Sequence, residues 1–323
     1  MKKDANGRLS WQSFSFKRIA TAWREQQKKR MVYAKSSSPW WHFTFTWGKN
    51  IDTWINAFLA GKHSFQPMRE YVFKDEVIQI WCYKDRLMIY ILQQYLKPTF
   101  QYIISKLCVS TRGPCAIKEV TRDIEKALKS GQYYYALRID IKGYYANIQH
   151  QKLLELLQKN FDDPLILKYL HDIVKRLVDR DGVLFSPEKG IPLRSTLSPF
   201  FGALYLTPLD EAFSSQDVFY RRYVDDVIIL VKNERQYRRV KKRLFEVLRE
   251  LCLEVSPQKT RMGKLDVFHF LGVKYEASRN PLSSESQVTV SMHPRCCSRA
   301  LNKVLALIDN AVHAADIQRY LVR

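Results

Sequence analysis

An α+β fold is what the residue pattern of this chain predicts, and three observations predict it. The stretch Phe219–Val231 (F-Y-R-R-Y-V-D-D-V-I-I-L-V) sets two β-branched and aromatic runs around a tight acidic pair, the pattern of an antiparallel hairpin turning at Asp225-Asp226. A second β-prone run, Tyr133–Ile141 (Y-Y-Y-A-L-R-I-D-I), ends in a carboxylate at Asp140. Other stretches have helical periodicity. The clearest is Glu234–Leu251, whose Val240, Leu244, Val247, Leu248 and Leu251 fall on one face.

At 323 residues the chain can hold roughly two domains and bury a sizeable core. A hydrophobic content of 46% with 13% aromatics excludes a disordered chain. Lys and Arg number 53 against 32 Asp and Glu, a net charge of +21, which points to a polyanionic partner, nucleic acid above all. Met1–Ser10 has no apolar signal-peptide core, and the chain carries neither a lipidation motif nor a long apolar span, so a cytoplasmic protein without membrane contact is expected. The six cysteines (82, 108, 115, 252, 296 and 297) form no C-x-x-C pair and are expected as reduced, mostly buried thiols. His293 with Cys296 and Cys297 lacks a second ligand pair, which argues against zinc.

Taken in order, Phe16–Tyr33 is a helix ending in the basic run Lys28-Lys29-Arg30. All seven tryptophans lie within the first 81 residues. Rings interleaved with cations suit single-stranded nucleic acid, and they equally suit a helical extension packed on the body. Gly61-Lys62 is not a phosphate loop, because Asn56 stands where Gly is needed and His63 where Ser or Thr is needed. Arg69–Trp81 is a strand pair, and Lys84–Phe100 an amphipathic helix stopped at Pro98. Asp123–Leu128 is a short helix, Gln151–Leu177 a long one, with His150 near its start as a capping or packing residue. Gly190–Asp210 begins as a loop and turns helical near Ser195, with Ser198, Gly202 and Ala203 forming a small-residue face. On Glu234–Leu251, Arg238, Arg239 and Lys242 belong to a dense basic surface, either a nucleic-acid face or a solvated one. Leu253–Val255, Val267–Tyr275 and Gln287–Met292 are strands, and Ser298–Val322 is a helix.

A carboxylate at the end of a buried strand is costly without a cation, and two adjacent carboxylates at a hairpin tip repel unless a cation neutralises them. Asp140, Tyr145, the small-residue S-P helix, Asp225-Asp226, Lys259 and Phe270-Leu271-Gly272 follow in one order. In that order the chain resembles a reverse transcriptase over about residues 60–275, with Y-V-D-D as the most specific element.

The resemblance implies a right-hand polymerase: fingers and a palm whose antiparallel sheet is flanked by helices, plus a short helical thumb. The implied domains are a basic, Trp-rich helical extension (1–60), fingers (61–132), palm (133–275, with a finger-side insertion at about 150–190) and a short thumb (276–323). Nucleotide addition by such enzymes needs two divalent ions roughly 3.5–4 Å apart, Mg²⁺ with Mn²⁺ as an alternative. By resemblance Asp140 and Asp225 bridge them, the Ile141 carbonyl assists and Asp226 is the third carboxylate. Tyr145 matches a ring that excludes the 2′-hydroxyl, with a core tyrosine as its alternative. Lys259 matches a lysine that protonates pyrophosphate, or else contacts phosphate. The turn Phe270-Leu271-Gly272 matches the hairpin that grips the primer, and Pro192 and Ser198 lie in the nucleotide-binding segment.

This sequence departs from group II intron relatives in reading Pro192-Leu193-Arg194 where they have P-Q-G. Glu76 stands near the place of the triphosphate-binding cation, for which Lys74 or Arg69 would substitute. A bare polymerase of this kind looks most like the bacterial unknown-group and defence-associated enzymes. That likeness implies a structured non-coding RNA template, dNTP substrates, a DNA product and an antiphage role, with homo-oligomerisation left open. Competing readings are an untemplated or protein-primed polymerase of the abortive-infection type, a mobile-element or diversity-generating enzyme, and an idle RNA-binding scaffold.

Overall fold

The computed structural model describes residues 15–31, 34–73, 76–113, 115–214, 217–279 and 286–309. Helix α1 (Phe16–Arg30) buries Phe16, Ala20, Trp23 and Gln27, one line at helical spacing. Helix α2 (Pro39–Leu59) falls within the helical extension expected over residues 1–60, whose individual helices beyond Phe16–Tyr33 were not delimited. Its signals were a Ser38-Pro39 start, with the Ser38 side chain accepting from Trp40 N at 3.3 Å, and a stripe of Trp40, Phe43, Trp47, Ile51, Ile55 and Phe58.

Strands β1 (Met68–Phe73) and β2 (Glu76–Ile80) form the expected antiparallel pair. Helix α3 (Tyr83–Ile103) runs through Pro98 instead of stopping there. Proline removes only one backbone bond, and Phe100 stacked on Phe200 at 3.7 Å holds the last turn in place. Helix α4 (Ala116–Lys129) starts before the expected Asp123, because Ala116, Val120, Ile124 and Leu128 form one buried line. Strand β3 (Tyr135–Asp140) follows, then the single-turn α5 (Tyr144–Asn147).

The one helix expected over Gln151–Leu177 is two, α6 (His150–Asn160) and α7 (Pro164–Val174). Asp163 caps α7, accepting from Leu165 N at 2.8 Å and Ile166 N at 3.2 Å, and Pro164 opens it. Short strands β4 (Val178–Arg180) and β5 (Val183–Phe185) lead to α8 (Ser198–Tyr205) and α9 (Thr207–Ser214).

Strands β6 (Phe219–Tyr223) and β7 (Asp226–Val231) make the acidic hairpin, with its turn one residue earlier than expected. Tyr223 pairs with Asp226, so the turn residues are Val224 and Asp225, and Asp226 opens β7. Val224 takes a left-handed φ of 55°, a strained state for a β-branched residue. Helix α10 (Glu234–Glu250) buries the anticipated stripe, at 0% exposure for Val240 and Leu244.

Strand β8 (Arg261–Lys264) was missed, and Leu253–Val255 makes only one bridge, Val255 to Ile141. The β-prone stretch Val267–Tyr275 is the hairpin expected at Phe270-Leu271-Gly272, formed by β9 (Val267–Phe270) and β10 (Val273–Arg279). Leu271 and Gly272 turn it with φ of 51° and 78°. Strand β11 (Ser286–Met292) and helix α11 (Pro294–Asp309) close the described chain, and the remainder of the helix expected to Val322 lies outside it.

The chain divides into two compact units. The first comprises Met1–Lys106, Gly143–Glu211 and Val247–Glu254. Its sheet runs β2-β1-β4-β5, with β1 and β4 parallel. Helices α1, α2 and α3 join through rings: Trp23 on Phe43 (5.9 Å), Trp40 on Tyr83 (5.2 Å), and Phe43 on Tyr83 (5.7 Å). Packing therefore claims most of the N-terminal rings, although Trp41 and Phe45 stay exposed.

The second unit comprises Leu107–Lys142, Ala212–Glu246 and Val255–Arg323. One sheet runs β6-β7-β3-β8, all antiparallel, and the other β11-β10-β9. Helix α4 places Val120, Ile124 and Leu128 in a core with Ile228, Leu230, Phe268, Phe270 and Tyr275. Among the described residues no helix is long and apolar enough to cross a membrane. Of the six thiols only Cys108 is fully buried, contrary to expectation. Cys115 and Cys252 sit at helix ends, and with Cys297 they are exposed.

Candidate active site

The second unit gathers Asp140, Asp225, Asp226 and Lys259. Strand β3 is central in its sheet, and in the register of β3 on β7 Asp140 stands opposite Asp226. Successive strand residues face opposite sides, so Arg138 and Asp140 share a face. Arg138 donates through Nη2 to Asp226 Oδ1 at 3.3 Å and through Nη1 to the Lys259 carbonyl at 2.8 Å. Lys259 Nζ lies 3.6 Å from Asp140 Oδ1. The Asp140 carbonyl accepts from Ser256 N at 2.7 Å, and Ile141 bridges Val255, which ties the lysine-bearing loop to the end of β3.

The hairpin tip has its own support. Arg222 is fully buried and donates from Nη1 to the Val224 carbonyl at 2.9 Å, while its backbone N–H donates to the Leu107 carbonyl at 3.0 Å. Sequence reasoning missed Arg138 and Arg222. The available signal was an arginine inside each of two otherwise apolar strand runs, Y-A-L-R-I-D and F-Y-R-R-Y.

Burial raises the carboxyls of Asp225 and Asp226 above the ordinary carboxylate range. For Asp225 the charges of Asp226 and Asp140 add to this and Lys259 opposes it, whereas for Asp226 the Arg138 guanidinium opposes it and Asp140 adds. As placed, no three His, Cys, Asp or Glu side chains among the described residues are gathered as a ready metal-holding set. Asp140 and Asp226 are each turned instead to a cation. Partly desolvated carboxyls held above the ordinary range beside a third carboxylate, Asp140, are a hard-oxygen donor set that fits a divalent ion. Ile141 is 2% exposed, so only its backbone could take part.

Phe270 is 1% exposed and belongs to the core, which leaves Leu271-Gly272 as the presented tip. A Cβ on Gly272 would lie 2.9 Å from Cys296 Sγ. Arg238 pairs with Glu234 at 2.6 Å, and Arg239 and Lys242 are exposed.

The first unit holds the other candidates. Tyr145 sits on α5, which starts after Gly143 in a left-handed conformation. Its backbone carbonyl accepts from Ile191 N at 2.9 Å, and the Ile148 carbonyl accepts from Gly190 N at 2.7 Å. The ring lies against Gly202 of α8, whose added Cβ would meet Tyr144 and Tyr145 at 3.3 Å. The small-residue face is thus met by two tyrosine rings. Ser198 is fully buried and its hydroxyl donates to the Pro192 carbonyl, so it shapes the loop.

The Gly190 carbonyl accepts from Arg176 Nη1 at 3.0 Å and from His150 Nε2 at 2.7 Å. Burial lowers the pKa of His150, with the charge of Arg176 adding to the effect, so the ring is neutral and packs as expected. Burial also lowers Arg176, to about 10. Arg69 is an exposed residue of β1, and Lys28 and Lys29 are exposed on α1. Lys74 and the Arg30 side chain lie outside the described residues.

A family model described as Reverse transcriptase (RNA-dependent DNA polymerase) matches residues 76–275. No curated protein matches the chain.

Proposed function

This chain belongs to the reverse transcriptase family and is an RNA-directed DNA polymerase, a nucleotidyltransferase, and from that premise we propose which residues perform the transfer and on what template. The observation that carries the assignment is the register of β3 on β7, which sets Asp140 opposite Asp226 beside Asp225. Asp140, Asp225 and Asp226, with the Ile141 carbonyl, would hold two divalent ions, Mg²⁺ or Mn²⁺. When bound, such ions activate the primer 3′-hydroxyl and stabilise charge on the transferred phosphate.

Arg138 and Lys259 balance the carboxylates, and the Lys259 ammonium would supply a proton to pyrophosphate. Tyr145 crowds the sugar and excludes a 2′-hydroxyl. Leu271-Gly272 grips the primer, Arg69 and Lys74 serve the triphosphate, and the loop from Pro192 to Ser198 backs the nucleotide. Lys28, Lys29, Arg30, Arg238, Arg239 and Lys242 bind nucleic-acid phosphates. In this reading residues 61–132 are fingers, 133–275 palm and 276–323 a short thumb on a right-hand α+β polymerase.

The template is a dedicated structured non-coding RNA, copied from dNTPs in the bacterial cytoplasm for antiphage defence. Support comes from the surplus of basic charge and the altered Pro192-Leu193-Arg194 segment. The test is a primer-extension assay on the RNA that copurifies with the protein. Asp225→Asn with Asp226→Asn should abolish dNTP incorporation and leave RNA affinity within about twofold, because affinity comes from basic groups elsewhere. Undiminished incorporation would refute the site. A product found covalently attached to protein would instead favour the protein-primed, abortive-infection reading.

A further inference from the structure

We propose that Arg138 is a positioning residue for the transfer step: its guanidinium aims Lys259 at the leaving group by holding that lysine's backbone and Asp226 at once. This rests on the role given above to Lys259 and adds what sets that lysine in place.

The Lys259 side chain is 66% exposed. A lysine on a flexible stem in solvent is not oriented by packing, so its reach is decided by where its backbone stands. That backbone belongs to a tight turn over residues 256–260, in which the Ser256 carbonyl accepts from Lys259 N at 3.2 Å and from Thr260 N at 2.9 Å. The turn docks on the end of β3. Ser256 N donates to the Asp140 carbonyl at 2.7 Å, and Asp140 N donates to Thr260 Oγ1 at 3.5 Å. Those contacts hold the two ends of the turn. Lys259 itself is held through its carbonyl, which accepts from Arg138 Nη1 at 2.8 Å.

The same guanidinium reaches Asp226 Oδ1 through Nη2 at 3.3 Å. Its surroundings leave it little freedom. The Arg138 side chain is 21% exposed, and its Nε is buried without a partner. The two Nη contacts therefore offset the cost of desolvating the group. In the sheet Arg138 stands between Ile228 of β7 and Arg261 of β8. One neighbour is apolar and the other carries like charge, which disfavours a swing toward β8. A planar guanidinium presents its two Nη groups at a fixed spread, so it sets the separation of the Asp226 carboxylate from the Lys259 carbonyl. A lysine at this position would keep the charge without that spread. Charge balance alone is served by either cation, whereas positioning needs the fork.

The test is single-nucleotide primer extension by the full chain, with kcat and the KM for the dNTP measured for Arg138→Lys, Arg138→Met, Lys259→Ala, and Arg138→Lys combined with Lys259→Ala. Hydrogen exchange is followed alongside, at Lys259 and Thr260 for the turn and along β7 for the sheet. Arg138→Lys and Arg138→Met should each lower kcat by about tenfold to a hundredfold, the scale of a misplaced proton donor, and leave KM within about twofold. Exchange at Lys259 and Thr260 should quicken while β7 stays protected. The combined variant should be no slower than Lys259→Ala alone, because a residue that acts through the lysine then has nothing to place. Parental kcat in Arg138→Lys, losses that multiply in the combined variant, or lost protection of β7 in Arg138→Lys would each overturn the proposal and leave the Lys259 assignment standing. Undiminished incorporation by Lys259→Ala would remove the lysine from the reaction, and the proposal with it.

Discussion

Replacing Gly190 by alanine tests how Tyr145 is held. Gly190 has φ of 83°, and its added Cβ would lie 3.0 Å from the Ala146 carbonyl oxygen and 3.3 Å from its Cα. Those are backbone atoms, so no side-chain rotation relieves them. The left-handed conformation costs about 1–2 kcal/mol for alanine. Pushing the loop away also weakens the bonds from Gly190 N to Ile148 and from Ile191 N to Tyr145, each worth about 0.5–1.5 kcal/mol. The total is roughly 2–5 kcal/mol.

Gly182 supplies the control, because it has φ of 88° with nothing within 4 Å of its Cβ position. Gly182→Ala should cost only the conformational part. Urea denaturation followed by tryptophan fluorescence is the assay. All seven tryptophans precede residue 82, so the signal reports on the first unit. Hydrogen exchange at Ile191 should quicken in Gly190→Ala and not in Gly182→Ala. Equal midpoints for the two variants, with unchanged exchange at Ile191, would show that this clamp does not hold α5.

Two other expectations follow from the same segment. Tyr145→Ala should admit ribonucleotides, read as the ratio of rNTP to dNTP incorporation in primer extension, and an unchanged ratio would remove the tyrosine from sugar selection. His150 gives a pH dependence. Its folded pKa is lowered by burial, so the unfolded chain binds the proton more readily, and stability is complete above the ordinary value of 6.5 and falls as pH drops below it. The loss cannot exceed about 1.4 kcal/mol per pH unit for one proton. In His150→Gln the midpoint should change less between pH 7 and pH 5.5 than in the parent, and identical slopes would count against the neutral buried ring.

Much of this protein could be read from the order of its residues. Strand alternation and β-branched enrichment located β3 and the β6–β7 hairpin, since period-two patterning reflects burial on a sheet face. Helical stripes located α1, α3 and α10 for the corresponding reason. Element ends were less legible. Pro98 does not stop α3 because a ring contact made more than ninety residues away in the chain outweighs one lost backbone bond, and the Asp163-Pro164 cap divides the helix expected over Gln151–Leu177 into α6 and α7.

The sequence by itself put forward the carboxylates, the tyrosine and the lysine as the proposed site, because such chemistry calls for those residue types and the local pattern puts each in a strand, turn or helix. Only the tertiary structure decided the one-residue shift of the turn that makes Asp226 face Asp140, and the use of Arg138 and Arg222 to hold the acidic residues. It alone revealed the fork by which Arg138 joins Asp226 to the turn that carries Lys259. Such features depend on strand register and on side chains distant in the chain meeting in space, and no local pattern carries that information.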